Sequence, residues 1–264
     1  MRPILIRKLR QQPACTATIS LVKNENWELL SEKVWYHLAR QVGFFCGEWQ
    51  PADTQVYMLL RILLGDAQHF GRAYGIAISA GMGKTFAAGQ YVRENSEALY
   101  VAAREEMSRK LFLGMLLRNM GVTPVDTATG MIEQFSNLIT EREQPLLIVD
   151  DAHKLNSRVL HLLVRLINGL AGKAGIVIIG HIALRDRILE GLRMKMAGYE
   201  ELYEAIVQKI ITLPGLSRYD IELVCRANGI TTENQIERIT RECGNNLHRA
   251  TTLINEMNAL QMAA

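Results

Sequence analysis

The chain has 264 residues, a length typical of one large domain or of two unequal ones. Hydrophobic residues make up 48% and charged residues 22%, which excludes a disordered protein, a collagen-like fibre and a small disulfide-stapled protein. The net charge is +3, but the first 24 residues contain five basic residues and no acidic residue, which leaves the rest at −2. We interpret this basic end as a DNA-binding arm or as a tail that binds an acidic partner.

The cysteines and the apolar segments indicate the compartment. The four cysteines form no CxxC pair, and none has a histidine at the spacing of metal ligands. No apolar run reaches the roughly 18 residues that a membrane-spanning helix needs. The N-terminus also lacks the apolar core of a secretion signal. We therefore expect a cytoplasmic protein with reduced thiols and no membrane partner.

The N-terminal part of the chain predicts two helices. Apolar residues recur at helical spacing over residues 27–42, and a glycine-bounded break follows. A second amphipathic helix is predicted from about Ala52 to Asp66. We predict that residues 1–50 form an N-terminal extension, which consists of the basic arm and the first helix.

From Tyr74 onward, short apolar segments alternate with longer helical patterns. This alternation predicts a parallel sheet with helices on both faces. Five strands are predicted, at residues 74–79, 97–102, 145–150, 175–180 and 208–213, and five helices fill the gaps, at residues 84–94, 104–120, 129–142, 155–170 and 182–192. We therefore predict an α/β nucleotide-binding domain with a five-stranded parallel sheet over residues 51–214.

No further strand is predicted after Pro214. Three helical patterns follow, at about residues 217–228, 231–242 and 245–260. The polar residues Thr231–Asn234 are of the types that commonly cap the start of a helix. We predict that residues 215–264 form a small C-terminal helical lid.

The first predicted strand leads into a glycine-rich segment and then into a helix. The segment reads Ser79-Ala80-Gly81-Met82-Gly83-Lys84-Thr85-Phe86. Its order is typical of a phosphate-binding loop, in which glycines let backbone N–H groups face phosphates at a helix N-terminus. We expect these eight residues to bind ATP, Lys84 to reach the β- and γ-phosphates, and Thr85 to ligate Mg²⁺. The usual motif begins with glycine where this chain has Ile78, which restricts how the loop enters its turn.

The strand predicted at residues 145–150 ends in two acids. Asp150 fits the aspartate that holds Mg²⁺ through water in P-loop ATPases. Asp151 stands where a glutamate usually orients the attacking water. Because aspartate is one methylene shorter, slow hydrolysis is expected. The predicted catalytic residues are Lys84, Asp150, Asp151 and His181.

Two positions are candidates for sensing the γ-phosphate. His181 follows the strand predicted at residues 175–180, where P-loop ATPases with an extra strand between the two motif strands carry a polar sensor. A histidine that only caps the next helix is the alternative. His248 and Arg249 open the last predicted helix and could lean onto the phosphates; a solvated basic turn is the alternative there.

Taken together, these motifs resemble those of the AAA+ ATPases of DNA transposition, the Mu B, TnsC and IstB type of protein. The matching residues are the Gly81–Thr85 loop, the Asp150–His153 block, Gly180-His181 followed by Leu184–Arg187, and the Gly244–Arg249 turn. The resemblance covers about residues 52–260, and residues 1–50 match no part of the family. The motifs do not select one member.

The resemblance implies a function. Such proteins bind ATP between neighbouring subunits, assemble as rings or helical filaments on duplex DNA without sequence preference, and present the DNA to a transposase. Some also act with a target-selection protein, and ATP hydrolysis drives disassembly. An arginine from the neighbouring subunit would contact the γ-phosphate; Arg187 and Arg193 are candidates, and Lys209 is a weaker one. DNA contact is expected from basic residues after the second strand, Arg104, Arg109 and Lys110, with a solvated helix face as the alternative.

Three other functions remain open from the sequence. An ExeA-type secretion or assembly ATPase would need a membrane- or peptidoglycan-binding extension, and none is expected after the helical lid. A small-molecule or nucleotide kinase does not account for the strand with two acids and the separate lid. A nucleotide-gated binding module with little hydrolysis would account for the departures at Ile78, Asp151 and His181.

Overall fold

The computed structural model describes residues 49–206 and 210–261. The basic N-terminal segment, the helix predicted at residues 27–42 and Lys209 lie outside the described residues. The chain divides into two compact units. The larger unit contains Asp53–Asp220 and Asn245–His248, and the other contains Ile221–Gly244 and the residues from Arg249 onward, together with the described residues before Asp53.

The larger unit is built on one parallel sheet. Its strands are β1 (Ala73–Ala77), β2 (Ala98–Ala102), β3 (Leu146–Asp150), β4 (Gly175–Gly180) and β5 (Ile210–Thr212). They lie in the order β2-β3-β4-β1-β5, and all neighbours are parallel. The predicted five-stranded parallel sheet is therefore confirmed. The strand β4 lies between β1 and β3, so the two motif-bearing strands are not adjacent.

Ten α-helices are found within the described residues. They are α1 (Gln55–Phe70), α2 (Lys84–Glu94), α3 (Arg109–Asn119), α4 (Ala128–Thr140), α5 (Ser157–Gly169), α6 (Ile182–Arg193), α7 (Tyr199–Ala205), α8 (Arg218–Ala227), α9 (Glu233–Cys243) and α10 (Leu247–Gln261). A short 3₁₀ helix, Ala152–Lys154, follows β3. None of these helices is long and apolar enough to cross a membrane.

Helices cover both faces of the sheet, so both faces are buried. Successive side chains of a strand point to opposite faces and therefore enter different cores. Leu147 and Val149 of β3 pack into the core under α3, α4, α5, α6 and α7. Leu146 and Ile148 pack into the opposite core, under α1 and α2. This arrangement explains why the strands read as continuous apolar runs in the sequence.

Several elements differ from the predicted ones; the helix predicted at residues 104–120, for example, begins only at Arg109, and two further differences have a clear physical reason. The helix α1 continues beyond the predicted end at Asp66, because its C-cap is Gly71, which adopts the left-handed conformation that favours glycine. The helix α7 was not predicted. It has only seven residues and buries only Tyr199 and Leu202, so its sequence shows too few apolar positions for a helical period to be recognised.

Candidate functional site

The glycine-rich segment forms a turn between β1 and α2. Gly81 has a φ of 75° and Gly83 a φ of 81°, which are values that side chains other than glycine disfavour. Ile78, which replaces the usual first glycine, has no positive φ and is fully buried. Its backbone N–H donates to the Gly180 carbonyl at 2.9 Å, which ties the loop entry to β4. The isoleucine is therefore compatible with this loop.

The side chain of Phe86 points away from the loop. It packs against the core on the α1 side, with its ring centre 6.3 Å from that of Tyr57. Met82 also packs against this core. Of the eight residues predicted to bind ATP, these two contribute side chains to packing, so their part in a phosphate site would be confined to the backbone.

A hydroxyl–carboxylate pair joins the start of α2 to the end of β3. The Thr85 hydroxyl donates to Oδ2 of Asp150 at 2.7 Å. Asp150 is only 1% exposed, and its other oxygen accepts from the backbone N–H of Asp151 at 2.7 Å. The structure thus brings together the two residues that the sequence predicted to hold Mg²⁺.

Tyr100 of β2 is a third partner of Asp150, and sequence reasoning missed it. Its hydroxyl donates to Oδ2 of Asp150 at 2.9 Å. Burial, and then the nearby Asp150 charge, raise the pKa of the Tyr100 hydroxyl well above its usual range, so the group remains a donor at neutral pH. A tyrosine in an otherwise apolar strand was the available signal, because a buried hydroxyl needs a polar partner.

Asp151, at the end of β3, is held by two lysines. One oxygen accepts from Lys154 at 2.8 Å, and the other lies 3.8 Å from Nζ of Lys84. Burial alone would raise the pKa of Asp151, but the hydrogen bond and charge of Lys154, with the charge of Lys84, lower it below its ordinary value. Its backbone is also in the left-handed region, at a φ of 54°, which is strained for a residue with a side chain.

His181 caps the helix α6. Its Nδ1 accepts from the backbone N–H of Ala183 at 3.3 Å, so the neutral ring carries its proton on Nε2. Its own backbone N–H donates to Nδ1 of His153 at 3.3 Å, and the two ring centres lie 6.0 Å apart. Burial lowers the pKa of His153. The capping alternative is therefore present in the structure, and it leaves Nε2 as the atom that could meet a phosphate.

The turn before α10 contacts the glycine-rich loop through residues that the sequence did not select. The backbone N–H of Leu247 donates to the Gly81 carbonyl at 2.7 Å. The Asn246 amide lies so close to Gly81 that any side chain there would collide with it. A Cβ at Gly83 would lie 3.1 Å from Cδ1 of Leu247.

The two predicted sensor candidates in this turn are placed differently. The backbone N–H of His248 donates to the side-chain oxygen of Asn246 at 2.9 Å, within the larger unit. Arg249 falls in the other unit. The asparagine and leucine could be found only from the fold, because neither is a residue type that marks a phosphate site.

The two arginine-finger candidates also differ. Arg187 binds within its own domain, where it donates to the Leu155 carbonyl, the Ser157 hydroxyl and the Tyr199 hydroxyl. Arg193 is 75% exposed at the end of α6 and lies 3.7 Å from Glu190. Only Arg193 presents a side chain that could reach another subunit without first breaking several hydrogen bonds.

Of the three basic residues predicted to contact DNA, two line a common cavity and the third does not. Arg104 is exposed in the loop after β2. Arg109 and Lys110 lie in the first turn of α3, where they line a cavity together with Arg158 of α5. Arg158 was not predicted, because 48 residues separate it from Lys110 in the sequence.

The segment 79–188 matches a protein-family model described as an AAA domain. A comparison with the curated proteins found no match. Among solved structures, NtrX from Brucella abortus in complex with ATP gives a TM-score of 0.53 at 13% identity, over 96% of this chain and 61% of that chain. The family match over residues 79–188 and this similarity show that the larger unit has the fold of a P-loop AAA+ domain.

Two structures of Drosophila ORC bound to DNA and Cdc6 match less well. The one with GC-rich DNA gives a TM-score of 0.38 at 9% identity, over 61% of this chain and 59% of that chain. The one with AT-rich DNA gives 0.40 at 10% identity, over 81% and 74%. This chain thus spans about three fifths of the length of NtrX and of the first of these chains.

Proposed function

We propose that this chain is an ATPase that binds ATP with Mg²⁺ at the glycine-rich loop, assembles on duplex DNA in the ATP-bound state and regulates transposition. The observation that carries the proposal is the Thr85–Asp150 hydrogen bond of 2.7 Å at the end of that loop. It places a hydroxyl and a buried carboxylate side by side where the helix α2 begins. Both are oxygen ligands of the kind that Mg²⁺ prefers, so these residues fit the ion.

The chain's own residues would divide the work on ATP. The loop N–H groups and the N-terminus of α2 would bind the phosphates, and Lys84 would contact the β- and γ-phosphates. Mg²⁺, when bound, would neutralise charge that develops on these phosphates. Within residues 49–206 and 210–261 no cluster of three His, Cys, Asp or Glu could hold a metal by itself, so phosphate oxygens and water would complete the coordination.

Hydrolysis would require a base for the attacking water. Asp151 is the proposed residue, because it follows Asp150 directly and lies beside Lys84. The Nε2–H of His181 would donate to the γ-phosphate from the end of β4. A carboxylate with a lowered pKa is a weak proton acceptor, so we expect turnover to be slow until a partner rearranges this pair.

A second candidate function is a nucleotide-gated binding module with little hydrolysis. The contacts of Asp151 favour it, since both of its oxygens already face lysines. In such a protein ATP would switch assembly on, and exchange of the nucleotide rather than its hydrolysis would switch it off. Asp151→Asn distinguishes the two functions: it stops turnover in the ATPase and changes little in the module.

The DNA and transposase parts of the proposal are supported by the motif resemblance and by the exposed basic residues that follow β2. Contacts from such residues to phosphates would be independent of base sequence and weakened by salt. The subunits would bind ATP between them, and Arg193 is the better-placed candidate to reach a neighbour's nucleotide. The partner would be a transposase that takes the captured DNA.

Electron microscopy of the full chain tests the proposal directly. With duplex DNA and Mg²⁺-ATP we expect rings or filaments, and with ADP we expect dispersed protein. Lys84→Ala should abolish assembly, whereas the exposed Lys173→Ala serves as a matched control. Monomers under all conditions, combined with normal ATP binding, would leave a kinase or a monomeric switch as the function.

A further inference from the structure

A cavity of about 370 Å³ lies where the helices α3, α4 and α5 begin. Three basic side chains line it, namely Arg109, Lys110 and Arg158. One acid, Glu106, and the polar residues Ser108 and Asn156 complete most of the wall. Among the described residues, the lining of the cavity includes no residue of the glycine-rich loop and neither Asp150 nor Asp151. The cavity is therefore distinct from the nucleotide site.

The three basic side chains of this cavity are not neutralised by the protein. Among the described residues, Arg109, Lys110 and Arg158 take part in no salt bridge and no side-chain hydrogen bond, and all three are exposed. By contrast, Arg187 is held by three hydrogen bonds and Arg226 by two acids. Three cations around one space with a single acid create a local positive potential that attracts anions.

The backbone adds to this potential. Ser108 and Asn156 are the N-caps of α3 and α5, and Ala128, the first residue of α4, also lines the cavity. Three helices thus begin at its wall, and the N-terminus of a helix carries a partial positive charge. The cationic side chains supply most of the positive potential, and the helix N-termini add charge of the same sign.

We propose that this cavity binds a phosphate group of the DNA backbone, with Arg158 as its third cation. The inference rests on the proposed function and names the residues that would hold the DNA. Two arginines suit phosphate, because a guanidinium can donate two parallel hydrogen bonds to its oxygens. The wall has no aromatic or large apolar side chain to grip a base, so the contact would not read sequence.

Arg158→Gln in the full chain, with Arg165→Gln as control, tests the assignment. Arg165 is exposed two turns further along α5 and does not line the cavity. The measurement is fluorescence anisotropy of duplex DNA with Mg²⁺-ATP over a series of salt concentrations. We expect Arg158→Gln to weaken binding about tenfold, as for the loss of one hydrogen bond to a charged group. The slope of log affinity against log salt should become less steep by about one, and Arg165→Gln should match the wild type.

Glu106→Gln gives an effect of the opposite sign, which a misfolded variant would not imitate. Removing Glu106, the one acid among the described residues of the wall, should strengthen DNA binding about threefold, since a negative charge that repels the phosphate is lost. ATP binding, measured in the absence of DNA, should stay unchanged in both variants because the cavity is separate from the loop.

The outcomes separate this inference from the proposed function. Failure of the wild type to bind DNA in the presence of ATP overturns the proposed function itself. Equal DNA affinity and equal salt slopes for Arg158→Gln and Arg165→Gln overturn the cavity assignment alone. A titration with inorganic phosphate, followed by phosphorus NMR, forms the last arm. If phosphate binding is lost in Arg158→Gln while DNA binding is not, the cavity takes free phosphate and the DNA assignment is wrong.

Discussion

The glycine-rich loop and the basic cavity both carry positive charge near the carboxyl ends of the strands, but the charge is paired within the protein only at the loop. At the glycine-rich loop, Lys84 is only 13% exposed and lies 3.8 Å from Asp151, and Asp150 beside it accepts three hydrogen bonds. At the basic cavity, Arg109 and Arg158 are exposed, and no acid in the described part of the chain lies within salt-bridge distance of them. At the glycine-rich loop, the polar groups already have hydrogen-bond or charge partners within the protein. At the basic cavity, the cations would gain such partners only from a ligand.

The difference predicts two kinds of response to mutation. At the glycine-rich loop, each group has a fixed partner, so a substitution should act on both the fold and nucleotide binding. In the cavity, exposed cations contribute little to folding, so a substitution should act on the ligand and on its salt dependence. Four variants break or sharpen this comparison.

The largest effect is expected from Lys84→Ala. Loss of a cationic contact to the phosphates should weaken ATP binding about 100-fold, measured by titration with a fluorescent ATP analogue. Arg158→Gln should leave ATP affinity within about twofold of the wild type. If Lys84→Ala binds ATP normally, or if both variants lose ATP binding alike, the two sites are not separate in the way described.

A second effect should follow from Gly81→Ala, with Gly121→Ala as its control. Both glycines have a positive φ, of 75° and 76°, so both substitutions impose about 1–2 kcal/mol of backbone strain. Only at Gly81 would the new methyl also collide with Asn246. We expect Gly81→Ala to lower the unfolding free energy further than Gly121→Ala and to weaken ATP binding. Equal urea midpoints would show that the turn at Asn246 does not lie against the loop.

Tyr100→Phe should have a moderate effect on stability. It removes one donor from the buried Asp150 carboxylate, and a hydrogen bond to a charged group contributes about 1.5–3 kcal/mol. Urea denaturation measures the loss in unfolding free energy. Tyr203→Phe is the control, because Tyr203 is half-buried without a hydrogen bond among the described residues and should change stability by less than about 0.5 kcal/mol. A loss no greater than that of the control would contradict the role of Tyr100.

The smallest effect concerns pH. The lowered pKa of Asp151 adds stability that is present above its unfolded pKa of about 3.9 and is lost as pH falls through the lower folded value. Lys154→Ala removes the main hydrogen bond behind this shift. The variant should lose about 0.5 kcal/mol at pH 6, since the pair is partly exposed, and less at pH 2, where more of the carboxyl group is protonated. If Lys154→Ala and the wild type unfold at the same denaturant concentration at both pH values, the pair contributes no stability.

The sequence was sufficient to predict the sheet and a glycine-rich turn after its first strand, for physical reasons. Buried parallel strands require continuous apolar runs, and β3 and β4 have them. A phosphate loop requires glycine at Gly81 and Gly83, because their φ values are positive. Each of these requirements places particular residue types at a fixed spacing within a short segment, so it can be recognised in the sequence.

The parts that escaped prediction depend on residues that meet only in the folded chain. Tyr100 reaches Asp150 because β2 pairs with β3, and Arg158 joins Lys110 because α3 and α5 begin at the same cavity. Asn246 meets Gly81 across 165 positions of sequence. None of these pairs has a characteristic spacing, and the residue types are common on ordinary surfaces.

The Thr85–Asp150 contact also has a kinetic meaning. The hydroxyl hydrogen of Thr85 lies between two oxygens that a divalent cation could contact, so it occupies space that the ion would take. Threonine is stiff about its Cα–Cβ bond, so its oxygen is held in position while the hydrogen turns about the C–O bond. Rotation of the hydroxyl would free both oxygens for the ion, directly or through a water, with only a small shift of the oxygens and no net release of protons. Loading of the ion should therefore be limited by the dehydration of Mg²⁺ and not by a rearrangement of the protein.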